Sequence, residues 1–89
     1  MTDVPTNIRK MAHDREFKVT IRIGRSGLSD AMYEELDAQL SSRKVVKVKM
    51  NKGLIEERDS RRTVFEEIAE RVNAILVDAR GNVAIYWRS

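Results

Sequence analysis

The spacing of hydrophobic residues changes period several times along the chain, and each change marks an element. From Lys18 to Ile23, Val19, Ile21 and Ile23 alternate with Lys18, Thr20 and Arg22, the two-residue period of a half-buried strand. The run ends at Gly24-Arg25-Ser26-Gly27. Leu28, Met32, Leu36 and Leu40 then recur every four residues with Glu34, Glu35, Asp37 and Gln39 between them, which predicts an amphipathic helix. The Ser29 hydroxyl is placed to cap its first turn, and Asp30 suits the positive end of the helix dipole. Alternation returns over Arg43 to Met50, with Val46, Val48 and Met50 set against Lys47 and Lys49. Val64, Phe65, Ile68, Ala69 and Val72 predict a second long helix between Asp59 and Val72. Thr63-Val64-Phe65-Glu66 fits a capping box there, with a start one turn earlier as the alternative, and Asn73 is its stop. Ile75–Ala79 and Val83–Trp87 flank Arg80-Gly81-Asn82 and read as a hairpin with a Gly-Asn turn. Its apolar residues fall on both faces, so the pattern does not say which face is buried. Upstream, Thr6 to His13 predicts a short first helix, capped by Thr6, with Ile8, Met11 and Ala12 on its apolar side.

The predicted order is αβαβαββ. Strand–helix–strand crossovers are right-handed, which places both long helices on one face of a mixed four-stranded sheet. The expected architecture is an α/β two-layer sandwich forming one domain over residues 1–89. The 89 residues include no cysteine and one histidine, so disulfides, thiol chemistry and histidine-rich metal sites are excluded. No apolar run approaches the roughly 20 residues that span a bilayer. Met1 to Pro5 is followed by no apolar stretch, so no signal peptide is expected, and the expected location is cytoplasmic.

Charge alters this picture. The net charge is +3, but its segments are +3 over residues 1–27, −4 over 28–42, +5 over 43–62 and −1 over 63–89. Two basic segments flank an acidic one. If the strands at 18–23 and 43–50 are neighbours, Arg22 and Lys18 join Lys47 and Lys49 on one sheet face, with Lys44 and Lys52 flanking it. Such a face invites phosphate. The plainer reading is that these cations solubilise the sheet and discourage edge pairing.

Candidate chemistry points the same way. His13 is the only imidazole, the paired glutamates look like solvated faces, and neither the phosphate-loop nor the dinucleotide glycine pattern is present. No catalytic residue, metal or cofactor is expected. Gly24-Arg25-Ser26-Gly27, between a strand end and a helix start, lets a nucleic-acid backbone approach closely, with Arg25 and Ser26 supplying charge and a hydroxyl. Trp87, Tyr86, Tyr33, Phe17 and Phe65 do not alternate along one strand as base-stacking platforms do.

The run Ile23-Gly24-Arg25-Ser26-Gly27-Leu28-Ser29, followed by a helix and then Val46-Lys47-Val48-Lys49, resembles the CRM domain, the YhbY-like RNA-binding family. Met11-Ala12-His13 is similar to that family's Leu-Ala-His, and Gly81 to Trp87-Arg88 to its glycine turn and closing aromatic–arginine pair. Asn73 departs from the pattern, standing where a helix-ending glycine is usual. The resemblance implies a fold like the C-terminal domain of bacterial translation initiation factor three. It also implies binding of structured RNA, ribosomal RNA or pre-ribosomal particles included, through the glycine loop and the adjacent basic surface; the sequence shows no clear apolar surplus beyond the core, so a monomer is expected. The interface so expected comprises Arg22, Gly24, Arg25, Ser26, Gly27, Lys44, Lys47, Lys49 and Lys52. Two alternatives stand beside it: an Alba-like dimer coating DNA or RNA, and a protein–protein adaptor using the acidic helix 28–40.

Overall fold

A computed structural model describes residues 4–14, 16–24, 27–51 and 58–88. Its elements are α1 (Thr6–Ala12), β1 (Ile21–Ile23), α2 (Asp30–Arg43), β2 (Val45–Met50), α3 (Arg58–Arg71), β3 (Ile75–Arg80) and β4 (Val83–Trp87). The sheet order is β1-β2-β4-β3. β1 runs parallel to β2, and β4 is antiparallel to both of its neighbours. β2 and β3 therefore run parallel with β4 inserted between them. The expected order and mixed sheet are both present.

α2 begins where the sequence placed it. Ser29 is the N-cap, and its hydroxyl accepts from the Met32 N–H at 3.2 Å. Met32, Leu36 and Leu40 face inward; Leu28 lies before the helix and is exposed, so it leaves the predicted apolar stripe. α2 ends at Lys44, whose φ of 71° is left-handed, and α3 is followed by Asn73 at φ 53°. Asn tolerates that conformation, so it ends the helix where glycine is the commoner residue. One cap assignment is corrected, and of the two starts open to α3 the earlier is found. Thr6 is the first residue of α1, with Pro5 as N-cap and no side-chain cap bond. Thr63 lies inside α3, which starts at Arg58, so the capping-box pattern falls within the helix. β1 is also shorter than its alternation, because Lys18–Thr20 stay outside the ladder although the Thr20 N–H donates to the Lys47 carbonyl at 3.1 Å.

Both long helices cover one face. Ile21, Ile23, Val46, Val48, Met50, Ala84 and Tyr86 meet Met32, Leu36, Leu40, Phe65, Ile68 and Val72 there. α1 lies on the other face, where Ile8 and Ala12 pack with Val45, Ile85 and Trp87. That explains the double-sided hairpin: Ala84 and Tyr86 point to α2 and α3, while Ile85 and Trp87 point to α1. α1 covers only the β3–β4 side and one end of β2. The β1 side of that face stays open.

Tyr86 is fully buried, and its hydroxyl donates to the Phe65 carbonyl at 2.9 Å. Burial, then the neighbouring Tyr33, pushes its ionisation well above the usual phenol range. Tyr86→Phe removes that bond, while the Phe65 carbonyl remains within helix α3, so thermal melts at neutral pH should show a loss of about 1 kcal/mol. The neutral phenol is favoured in the fold, so the contribution is complete below about pH 10 and declines as pH rises further. The gap between wild type and Tyr86→Phe should therefore narrow in melts above that pH.

Candidate nucleic-acid interface

β1 and β2 finish at the same end of the sheet. Their register pairs Arg22 with Lys49 and Ile23 with Met50. Paired positions share a face, so Ile23 and Met50 enter the core while Arg22 and Lys49 are exposed together on the open side. Like charges directly opposite on a ladder cost a sheet a few tenths of a kcal/mol. Among the described residues neither cation is paired with a carboxylate. An anion placed between them would relieve the repulsion.

The glycine turn follows at once. The Gly27 N–H donates to the Gly24 carbonyl at 2.9 Å, and Gly27 has φ +74°, which explains its lack of a Cβ. Gly24 is different. Its φ is outside the left-handed region, and a Cβ there would meet nothing within 4 Å. The described fold therefore does not require glycine at that position.

An open cleft of about 360 Å³ joins these groups, lined by Arg22, Ile23, Gly24, Lys49, Met50 and Asn51. The Asn51 N–H donates to the Ile23 carbonyl at 2.8 Å and holds the two strand ends together. A second cleft of about 350 Å³ runs on the α2 side of the same glycines and includes Ser29 and Glu35. There Asp30 already occupies the first helical turn and Ser29 takes one of its N–H donors. Electrostatics therefore favours an anion on the Arg22–Lys49 side of the turn.

The other expected site residues are distributed unequally. Lys47 shares the face of Lys49 but is half-buried: its ammonium donates to the Phe17 carbonyl at 3.0 Å and lies 6.0 Å from the Phe17 ring centroid. Lys44 must be removed from the patch. It caps α2 at the start of β2, with its carbonyl accepting from the Arg88 N–H, and so lies about 20 Å along the strand from the glycine turn. Arg25, Ser26 and Lys52 lie outside the described residues. Tyr86 and Phe65 are core, Trp87 packs under α1, and Tyr33 is covered by the Arg71 guanidinium 4.3 Å from its centroid. None of these four forms a stacking platform. Two positioning residues escaped the sequence reading, Phe17 and Asn82. Neither has a periodic signal, because each acts through contacts with a single residue of β2: Phe17 with Lys47 through its carbonyl and ring, Asn82 with Met50 through two hydrogen bonds.

The sequence profile of the CRS1 / YhbY (CRM) domain matches residues 5–88, the whole described fold but for Val4. The chain belongs to the CRS1 / YhbY (CRM) domain family. A curated relative of this CRM domain, named "Probable RNA-binding protein PA4753" and found in Pseudomonas aeruginosa, is 28% identical over 71 residues. The match covers 80% of this chain and 65% of the relative, so the chain spans just under two thirds of that protein's length. The solution structure of the hypothetical protein SAV1595 from Staphylococcus aureus is similar in fold, with a TM-score of 0.75 at 24% identity, covering 93% of this chain and 81% of that one. The CRM domain's closing aromatic–arginine pair is structural here. The Arg88 guanidinium bonds the Asp37 carboxylate at 2.7 Å and also reaches the Val72 carbonyl, tying α2 to the end of α3.

Proposed function

We propose that this CRM domain is a non-enzymatic RNA-binding module that grips structured RNA by its phosphates at the shared end of β1 and β2. Arg22 and Lys49 hold the phosphates, the Gly24–Gly27 turn admits the backbone closely, and Arg25, Ser26 and Lys52 add charge and a hydroxyl around it. The observation that carries this reading is an unpaired cation pair on one rung beside a glycine the fold does not require. Membership of the CRM family and the RNA-binding name of the Pseudomonas relative support it. Ribosomal RNA in an assembling particle is the target we favour, since folded RNA presents the phosphate geometry that such a surface reads.

The two alternatives have less support. Asp30 and Asp37 on the acidic helix already pair with Arg71 and Arg88, which reduces the charge available to a protein partner. Among the described residues the exposed large hydrophobics are Met11 and Leu28, too little for the apolar patch a coating dimer would share.

Gly24→Ala tests the proposal with little effect on folding. The methyl meets open space, so the melting temperature should match wild type, while affinity for an RNA stem–loop should fall about 5- to 10-fold, the loss of one phosphate contact. Gly27→Ala should instead lower stability by about 1 kcal/mol, because it forces a side chain into a left-handed backbone. Wild-type binding should weaken with salt at a log–log slope of about −3 to −5, corresponding to four to six phosphates. A flat salt response, or unchanged affinity in Gly24→Ala, would reject the proposal.

A further inference from the structure

β3 contains an irregularity with a consequence for the basic face. Strict alternation from Ile75 would put residues 75, 77 and 79 on one side and 76, 78 and 80 on the other. Leu76 pairs with Tyr86 but Asp78 pairs with Ile85, so Val77 is the extra residue of a bulge. Tyr86 faces α2 and α3 and Ile85 faces α1, so the strand changes phase between Leu76 and Asp78. Without the bulge, Asp78 and Arg80 would point beneath the long helices. With it, the small Ala79 takes the inward place opposite Ala84, and Arg80 emerges on the face that carries Arg22 and Lys49.

Arg80 also falls on their rung. Arg22 pairs with Lys49, Lys49 with Val83, and Val83 with Arg80. Three cations thus lie along one line across all four strands, spanning about 14 Å at the usual strand spacing. The line is anchored at its middle. The Met50 N–H donates to the Asn82 carbonyl at 2.7 Å, and the Asn82 side-chain amide donates to the Met50 carbonyl at 2.8 Å. The hairpin tip is therefore fixed to the strand end that lines the Arg22–Lys49 cleft. The Asp78 carboxylate lies 3.3 Å from the Arg80 Nε, an ion pair on the inner nitrogen of the guanidinium, and the Arg80 side chain is 76% exposed.

We infer that Arg80 is a further RNA-contacting residue, and that the β3 bulge extends the phosphate-binding surface from the glycine turn across the whole width of the sheet. The inference rests on the RNA-binding reading above. The ordinary account is that Arg80 and Asp78 form a solvated ion pair and that the bulge only twists an edge strand. The two accounts differ in what RNA affinity does when the charge is removed.

The test is fluorescence anisotropy of a labelled RNA stem–loop against wild type, Arg80→Gln, Arg22→Gln and Arg62→Gln over a series of KCl concentrations. Arg62 is an exposed cation on α3, on the far side of the sheet, and controls for the change in net charge. Arg80→Gln should weaken binding about 5- to 10-fold and make the salt slope shallower by about 0.7–0.9, as Arg22→Gln does, with Arg62→Gln near wild type. Arg80→Lys should retain the slope, which separates lost charge from altered folding. If Arg80→Gln behaves like Arg62→Gln while Arg22→Gln weakens binding, the inference is overturned and the RNA-binding reading stands. If Arg22→Gln also behaves like the control, the reading fails and takes the inference with it.

Discussion

Reversing both rung charges, Arg22→Glu together with Lys49→Glu, should reduce RNA affinity about 100-fold or more without lowering the melting temperature. Each cation is exposed, and each is expected to make a charge-assisted contact worth about 1.5 kcal/mol or more, so losing two removes about 3 kcal/mol. Placing carboxylates beside phosphates adds repulsion to that loss. Stability should hold for a specific reason. Arg22 and Lys49 are already like charges on paired positions, and two glutamates replace one repulsion with another of similar size. Anisotropy and circular dichroism on the same preparation separate the effects. Wild-type affinity in the double variant would mean that the sheet end is not the site. Lys47→Glu is a poorer probe, because its ammonium holds the Phe17 carbonyl and its loss would mix packing with binding.

The legibility of the fold divides along physical lines. Where one face of an element is buried, period alone located it: Met32, Leu36 and Leu40 on α2, and Val46, Val48 and Met50 on β2, all enter the core. Where both faces are buried, period gave no answer. The hairpin is apolar on two sides because α1 covers the face that α2 and α3 do not, and a seven-residue helix carries too little pattern to announce that role. Site residues followed the same division. Arg22 and Lys49 could be placed together once their strands were taken as neighbours, because alternation fixes the side on which each lies. Lys44 could not, since it ends a helix in a left-handed turn, a conformation with no signature in a lysine. Arg80 was concealed for a different reason: it reads as the first residue of the turn, whereas it ends β3, and one inserted residue in that strand inverts the alternation that decides its face.

The helix assignments themselves admit a severe test in Leu36→Asp. Leu36 is fully buried in the cluster shared by α2, β1 and β2, and Asp30, Glu34, Glu35 and Asp37, the acidic residues of the helix, are exposed. An aspartate at this site would remove the packing of a leucine and leave a carboxylate with no cation to meet it. The combined cost exceeds about 4 kcal/mol, against a total stability of roughly 5–15 kcal/mol for a domain, toward the lower end for so small a core. Circular dichroism should show no cooperative melt. Ile68→Asp should do the same from α3, since Ile68 is equally buried. Leu28→Asp supplies the contrast. It sits on the same four-residue spacing as Leu36 but lies ahead of α2 and is 37% exposed, so it should melt like wild type. The spacing alone would make Leu28 and Leu36 equivalent, whereas a helix beginning at Asp30 makes one of them dispensable to folding. A normal melt for Leu36→Asp, or collapse of both variants, would show that the helix starts or turns elsewhere and would move the glycine turn with it.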